Sequence, residues 1–230
     1  MTINLTALRS ATALADTAPA GRRWWLTVPG LTGIGYTLSW VAGLAVPVPS
    51  PRLGATGPEV VAALAGHGPA VAAQFALTEG LPAIGIAVVS VTLARFARHR
   101  GGPVAARFAL VAGLVAAAIS AVQAVLGMAL AATSAPGPAY LLYVCADRLD
   151  GGKMLALAVL GAAAAAMTAL PRWLRLTAAA LAVTITGSGL VYLLLAASLA
   201  AAAGPALVLL LVFMTGCGIM TGMRTEPRDR

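Results

Sequence analysis

One acidic residue interrupts an otherwise uncharged apolar run: Glu79, in the segment QFALTEGLPAIG. It lies about ten residues into a stretch long enough to cross a bilayer, which places its carboxyl roughly 15 Å deep at 1.5 Å per residue. An ionised carboxylate in hydrocarbon is expensive, so the group must be protonated, partnered or facing a wet cavity. A carboxyl held protonated there can give its proton to an alkene or epoxide, with the apolar wall keeping water from the resulting cation. The same acid could instead carry a proton across the bundle or join neighbouring helices by a hydrogen bond. Pro82 adds a local break, because it cannot donate to the carbonyl of Thr78 and should kink or open the helix one turn from Glu79.

Depth counting supplies candidate neighbours. Tyr36, Gln123, Ser188 and Tyr192 fall near the level of Glu79 in other apolar runs, with Trp40 one turn beyond Tyr36. Ring faces at Tyr36, Trp40 and Tyr192 could stabilise a developing positive charge. Gly113, Ala116, Ser120, Gln123 and Gly127 recur every three or four residues, a small and polar stripe that must face protein. Gln74 and Thr78 share a face and are expected to bond to a neighbouring helix. A second polar concentration holds Asp147, Arg148, Asp150 and Lys153, with Tyr140 and Tyr143 nearby. Asp150 and Lys153 stand three apart at an expected helix start, where the aspartate can cap free N–H groups and pair with the lysine. Alternatively, Asp147, Arg148, Asp150 and Lys153, with Tyr140 and Tyr143, form the lid or rim of a pocket opening outward. Nothing has the spacing of a phosphate-binding glycine loop, a metal-ligand cluster or a nucleophile elbow, so neither metal nor cofactor is implied. His67 and His99 fall in loops on opposite sides.

The elements that must position these residues follow from composition. Of 230 residues 60% are apolar and 10% charged, with a mean hydropathy of +0.92. That excludes a soluble enzyme, a disordered chain and a nucleic-acid module, and makes the lipid bilayer the chain's surroundings. The apolar residues divide into six runs at roughly 24–46, 69–94, 108–132, 154–171, 176–198 and 205–223, each about the ~20 residues a spanning helix needs. Gly204-Pro205 is the expected turn between the last two, and Lys153 should snorkel from the outer end of the fourth. The fold class is all-α, a polytopic membrane bundle of six transmembrane helices.

With the N-terminus inside, twelve basic residues lie on the cytoplasmic side: Arg9, Arg22, Arg23, Arg95, Arg98, Arg100, Arg107, Arg172, Arg175, Arg224, Arg228 and Arg230. Only Arg52, Arg148 and Lys153 lie outside. Because basic residues are retained on the cytoplasmic side, both termini should be there. The chain then reads as a cytoplasmic tail over 1–23, a membrane bundle over 24–223 anchored at the interface by Trp24 and Trp25, and a second tail over 224–230. The segment before the first run lacks the uninterrupted apolar stretch of a cleaved signal. A short helix is expected over Pro58 to Leu64 in the first outer loop, and the second outer loop should cover about 133–153. Cys145 and Cys217 lie at different depths and read as free thiols.

Asp150 with Lys153, the following apolar span, the turn Leu170-Pro171-Arg172-Trp173-Leu174 and the segment Gly187 to Tyr192 together resemble a family of uncharacterised six-span bacterial membrane proteins, known as a domain of unknown function. That resemblance implies a multi-pass protein of a bacterial cell membrane and assigns no catalytic residue. Two classes of function remain open. One is a membrane-embedded enzyme that protonates a lipophilic, isoprenoid-type small molecule from Glu79, similar in logic to membrane terpene cyclases. The other is a transport, proton-coupling or accessory protein. Oligomeric state is not encoded in any feature identified.

Overall fold

The structure is a computed structural model and describes residues 27–100, 102–196 and 203–223. Among these residues every element is helical. In chain order they are α1 (Val28–Leu44), α2 (Gly57–Leu64), α3 (Gly68–Arg98), α4 (Pro103–Ala131), α5 (Pro136–Ala166), α6 (Arg172–Leu193) and α7 (Ala203–Gly222). Five of them, α3 to α7, are long and apolar enough to cross a membrane; α1 has 17 residues. The expected tails over 1–23 and 224–230, and the Trp24-Trp25 anchor, lie outside the described residues.

The long helices form a ring in chain order. Each of α3, α4, α5, α6 and α7 packs on the next, α1 packs on α3, and α7 closes onto α1. Short connections between successive long helices make neighbours antiparallel. One end of the ring therefore carries Arg52 and α2, and the other carries Arg98 and Arg175. Close approach rests on small residues. A Cβ added at Gly33 would sit 2.9 Å from the Met214 carbonyl oxygen of α7, and one at Gly151 would sit 2.7 Å from the Gly189 carbonyl oxygen of α6. Dispersion contacts between backbones replace a hydrophobic drive that lipid does not supply. The interior is filled by residues such as Ile86, Leu93, Leu157, Leu174, Leu181 and Phe213. Large apolar side chains also cover the outside, among them Val28, Leu38, Ile84 and Val183, all more than 60% exposed. A water-facing surface would not carry that belt, and it fits an integral, multi-pass membrane protein.

Several expectations hold, and others need correction. The helix over Gly57–Leu64 forms, opened by Thr56 and Glu59 in a reciprocal capping arrangement. All five residues of the small stripe on α4 are buried. The segment 133–153 is not a loop: α5 starts at Pro136, eighteen residues before the expected span. Prolines at the first and third helical positions sit where N–H groups have no intrahelical acceptor, so Pro136-Gly137-Pro138 starts a helix instead of breaking one. At the far end α5 stops at Ala166, short of residue 171. The next helix ends at Leu193 rather than 198, as Leu195 turns through φ 52° and the Ala196 N–H closes onto the Val191 carbonyl. Gly204-Pro205 is not a turn; it occupies the first turn of α7, where proline is again tolerated.

Candidate functional site

Around Glu79 the third helix departs from α geometry. Residues Ala76–Gly80 form a π-turn, closed by the Leu81 N–H donating to the Ala76 carbonyl. Pro82 has no N–H for the carbonyl of Thr78, so the ladder loses a bond at this level, and one extra residue is accommodated in the wider turn. The expected opening near Pro82 is thus present, and Thr78 and Glu79 are both buried within it. Thr78 packs its methyl on Gly43 of α1 but does not hydrogen-bond to a neighbouring helix as expected; its hydroxyl donates back to the Gln74 carbonyl at 2.9 Å.

Glu79 is partnered by a residue 74 positions later in the chain. Lys153 Nζ donates to Oε1 and Oε2, both at 2.7 Å, and to Asp150 Oδ1 at 2.6 Å. Ser120 Oγ donates to Glu79 Oε2. Gln123 Nε2 donates to the Ala146 carbonyl at 3.1 Å and to Asp150 Oδ1 at 3.3 Å. Four side chains from α4 and α5 therefore join one from α3 in a single network, Ser120 and Lys153 touching Glu79 directly. Lys153 does not snorkel: its side chain is 5% exposed, against 8% for Glu79 and 19% for Asp150. Nor does Asp150 cap a helix start, because it lies in the middle of α5, although its expected pairing with Lys153 forms. All three ammonium protons are committed to carboxylate oxygens, which is how a buried charge is made tolerable.

Two cavities lie along α5, the first at this cluster and the second one helical turn away at Asp147. The first, about 250 Å³, lies between α1, α5, α6 and α7. Its wall is apolar, from Leu44, Met154, Leu157, Ile185, Leu207 and Leu210, except for Trp40, Tyr192, Asp150 and Lys153 at one side. The second, about 470 Å³, lies at the Arg52 end under the 48–53 segment, with Gln74, Phe75, Tyr143, Asp147 and Tyr192 in its wall. Tyr143 ties that segment down by donating to the Pro51 carbonyl at 2.9 Å. Tyr192 borders both cavities, and Asp147, Asp150 and Lys153 follow one another at three-residue spacing along α5 beside them. Four buried polar atoms, Trp40 Nε1, Ser90 Oγ, Gln123 Oε1 and Asp147 Oδ2, have no hydrogen-bond partner among the described residues.

Comparison of the chain with protein-family models, with curated proteins and with solved structures found no match. The site must be read from its own geometry.

The residues expected at one level divide into three groups. Glu79 and Gln123 meet in the polar cluster. Trp40, Asp150 and Tyr192 line the smaller chamber, while Asp147 lines the wider cavity. Tyr36 is buried in the core, and Ser188 is buried with its hydroxyl returned to the Thr184 carbonyl of its own helix, and neither lines these two cavities. Glu79 is itself absent from both cavity walls. A protonated Glu79 acting directly on a substrate does not fit this arrangement, since donors surround the carboxylate and it accepts from all of them. Sequence reasoning named Lys153 as a partner of Asp150 and missed its pairing with Glu79. The signal was the three-residue spacing from Asp147 and Asp150, which makes one face of a helix once the segment is recognised as helical.

Proposed function

We propose that the chain is a six-span protein of the cell membrane, with both termini on the cytoplasmic side, that takes a lipophilic small molecule into the chamber between α1, α5, α6 and α7. One observation carries this reading: the chamber is apolar on most of its wall and has a carboxylate, Asp150, at one side, the usual build of a small-molecule site with a few orienting polar groups. Its volume of about 250 Å³ is below the range of roughly 300–1,000 Å³ typical for drug-sized ligands, which favours a short molecule.

In this reading the reaction, if the substrate is of isoprenoid type, is acid-initiated and terpene-cyclase-like in logic, with Trp40 and Tyr192 beside the cation. The acid in contact with substrate is Asp150 in its protonated form, the proton on Oδ2 because Oδ1 accepts from Lys153 and Gln123, and Glu79 is a positioning residue that holds Lys153. Incubating the protein in nanodiscs with short isoprenoid alkenes and epoxides, with products separated by gas chromatography and mass spectrometry, tests the chemistry. Asp150→Asn should abolish conversion while the thermal transition stays near that of the unmodified protein. No cyclised or isomerised product from any of them would remove the enzyme and leave the binding protein. The topology is tested by labelling cysteines placed at Arg52 and Arg98 from each side of the membrane; equal accessibility would overturn it.

A second reading has its own support. Asp147, Asp150 and Lys153 lead from the wider cavity toward Glu79, an arrangement that could pass protons to a midplane acid. It predicts pH-driven flux in sealed vesicles that Glu79→Gln stops.

A further inference from the structure

The buried cluster does not balance its charge. Glu79 and Asp150 bring two carboxylates, Lys153 brings one ammonium, and Ser120 and Gln123 are neutral, which leaves a formal charge of −1. No further cation among the described residues forms an ion pair with any of the three. An uncompensated charge inside a membrane protein is costly, so it is relieved either by a proton on one of the acids or by a cation bound beside them.

The polar atoms indicate where it would sit. Lys153 has donated its three protons to Glu79 Oε1, Glu79 Oε2 and Asp150 Oδ1, so it has none left for an anionic ligand. Gln123 also donates to Asp150 Oδ1. The other oxygen, Asp150 Oδ2, has no partner among the described residues, and Asp150 is the most exposed of the three charged groups and lines the chamber. Trp40 and Tyr192 stand in the same wall, and aromatic rings attract cations in places that water does not reach.

The geometry points to a protonated amine on a short apolar body as the molecule this chamber binds, its N–H donating to Asp150 Oδ2 between Trp40 and Tyr192, its hydrocarbon against Leu157, Ile185 and Leu210. This rests on reading the chamber as the binding site for a lipophilic molecule, and it names the chemical class. An anion would meet the Asp150 carboxylate with, among the buried donors described in that wall, only the Trp40 indole N–H free to donate to it, and a neutral hydrocarbon would leave the charge to be met by a proton.

Three probes of nearly the same shape separate the cases: phenethylamine, cationic at neutral pH; propylbenzene, its neutral counterpart; and hydrocinnamate, an anion. Binding is measured by calorimetry on the full chain in zwitterionic nanodiscs, with empty nanodiscs as the control for partitioning. Phenethylamine should bind about 10-fold or more tighter than propylbenzene, the worth of a charge-assisted hydrogen bond, and hydrocinnamate should not bind. Asp150→Asn should erase the preference for the amine. Should that variant fail to fold, Tyr192→Leu and Trp40→Leu provide the second measurement, each lowering amine affinity more than propylbenzene affinity. Equal binding of phenethylamine and propylbenzene, or a preference for hydrocinnamate, overturns the amine and leaves the lipophile site standing. If none of the three binds, the chamber is no binding site and both readings fall together.

Discussion

Two ion pairs between a basic residue and a glutamate occur among the described residues, and they differ in almost every respect. Arg52 and Glu59 meet at 2.9 Å at the end of the ring, with side chains 73% and 46% exposed. Lys153 and Glu79 meet at 2.7 Å inside it, 5% and 8% exposed. The first pair has water as an alternative partner, so its Coulombic gain is small and screened by salt. The second has no such alternative. Its charges are tolerable only because each one satisfies the other and because Asp150, Ser120 and Gln123 complete the network. Similar distances therefore carry different consequences, and it is the buried pair whose disturbance should be felt throughout the bundle.

The largest effect is expected from Lys153→Met, which leaves Glu79 and Asp150 facing each other without a cation. The loss should be about 3–5 kcal/mol, the usual cost of removing one partner from a buried pair, and visible as a lowered thermal midpoint in detergent. Arg52→Met should give no resolvable shift in the same assay. The contrast sharpens when the whole group is replaced. Glu79→Leu, Asp150→Leu and Lys153→Met together should recover most of what Lys153→Met alone loses, since apolar residues of similar volume carry no charge to compensate. If the triple variant is no better than the single one, packing rather than charge governs this part of the ring.

Smaller losses follow from the groups that hold the pair in place. Ser120→Ala removes a donor to the Glu79 carboxylate and should cost about 1.5–3 kcal/mol, the range for a hydrogen bond to a charged group. Gly151 lies between Asp150 and Lys153 in sequence, where α5 presses on α6. Gly151→Ala puts a methyl 2.7 Å from the Gly189 carbonyl oxygen, and the forced separation should cost about 1–3 kcal/mol. Gly187→Ala on α6 is the control, because a Cβ there meets nothing within 4 Å and alanine favours helix. Its midpoint should be unchanged or slightly raised, as read in the same melts.

How far the site was legible in the chain follows the same division between local and distant information. Helix periodicity and the cost of a charge in lipid singled out Glu79, the opening near Pro82 and the buried face of α4, all from neighbouring residues. Pairing Glu79 with Lys153 required knowing that α5 extends through Pro136-Gly137-Pro138, and proline marks a helix start and a loop equally well. Lysine at the edge of an apolar run also reads as a snorkelling residue until the extra helical turns place it inside the ring. Depth counting set Ser188 and Tyr36 near the level of Glu79, but depth does not determine the direction a helix turns its side chains. Rotation is decided by packing, here by glycines such as Gly33 and Gly151 that set which faces meet.

The exposed pair should respond to pH, and its response is the smallest effect expected. Glu59 accepts from the Thr56 backbone N–H at 2.7 Å, from the Thr56 hydroxyl at 2.8 Å and from Arg52 at 2.9 Å. These bonds, the backbone N–H first among them, hold its carboxyl below the usual carboxylate value of 4.5. A depressed value in the folded state means that the stabilisation is fully present above the unfolded value and is lost as pH falls through the folded one. Hydrogen exchange of the α2 amides from Val60 to Leu64 should therefore show constant protection from neutral pH down to about 4.5, after correction for intrinsic rates, and weakening protection below it. Glu59→Gln should flatten that dependence while leaving the thermal midpoint of the ring at neutral pH unchanged. A midpoint that moved with Glu59 would mean that the capped helix α2, packed on α5 through Val60 and Ala139, is coupled to the buried pair and that the two pairs do not act independently.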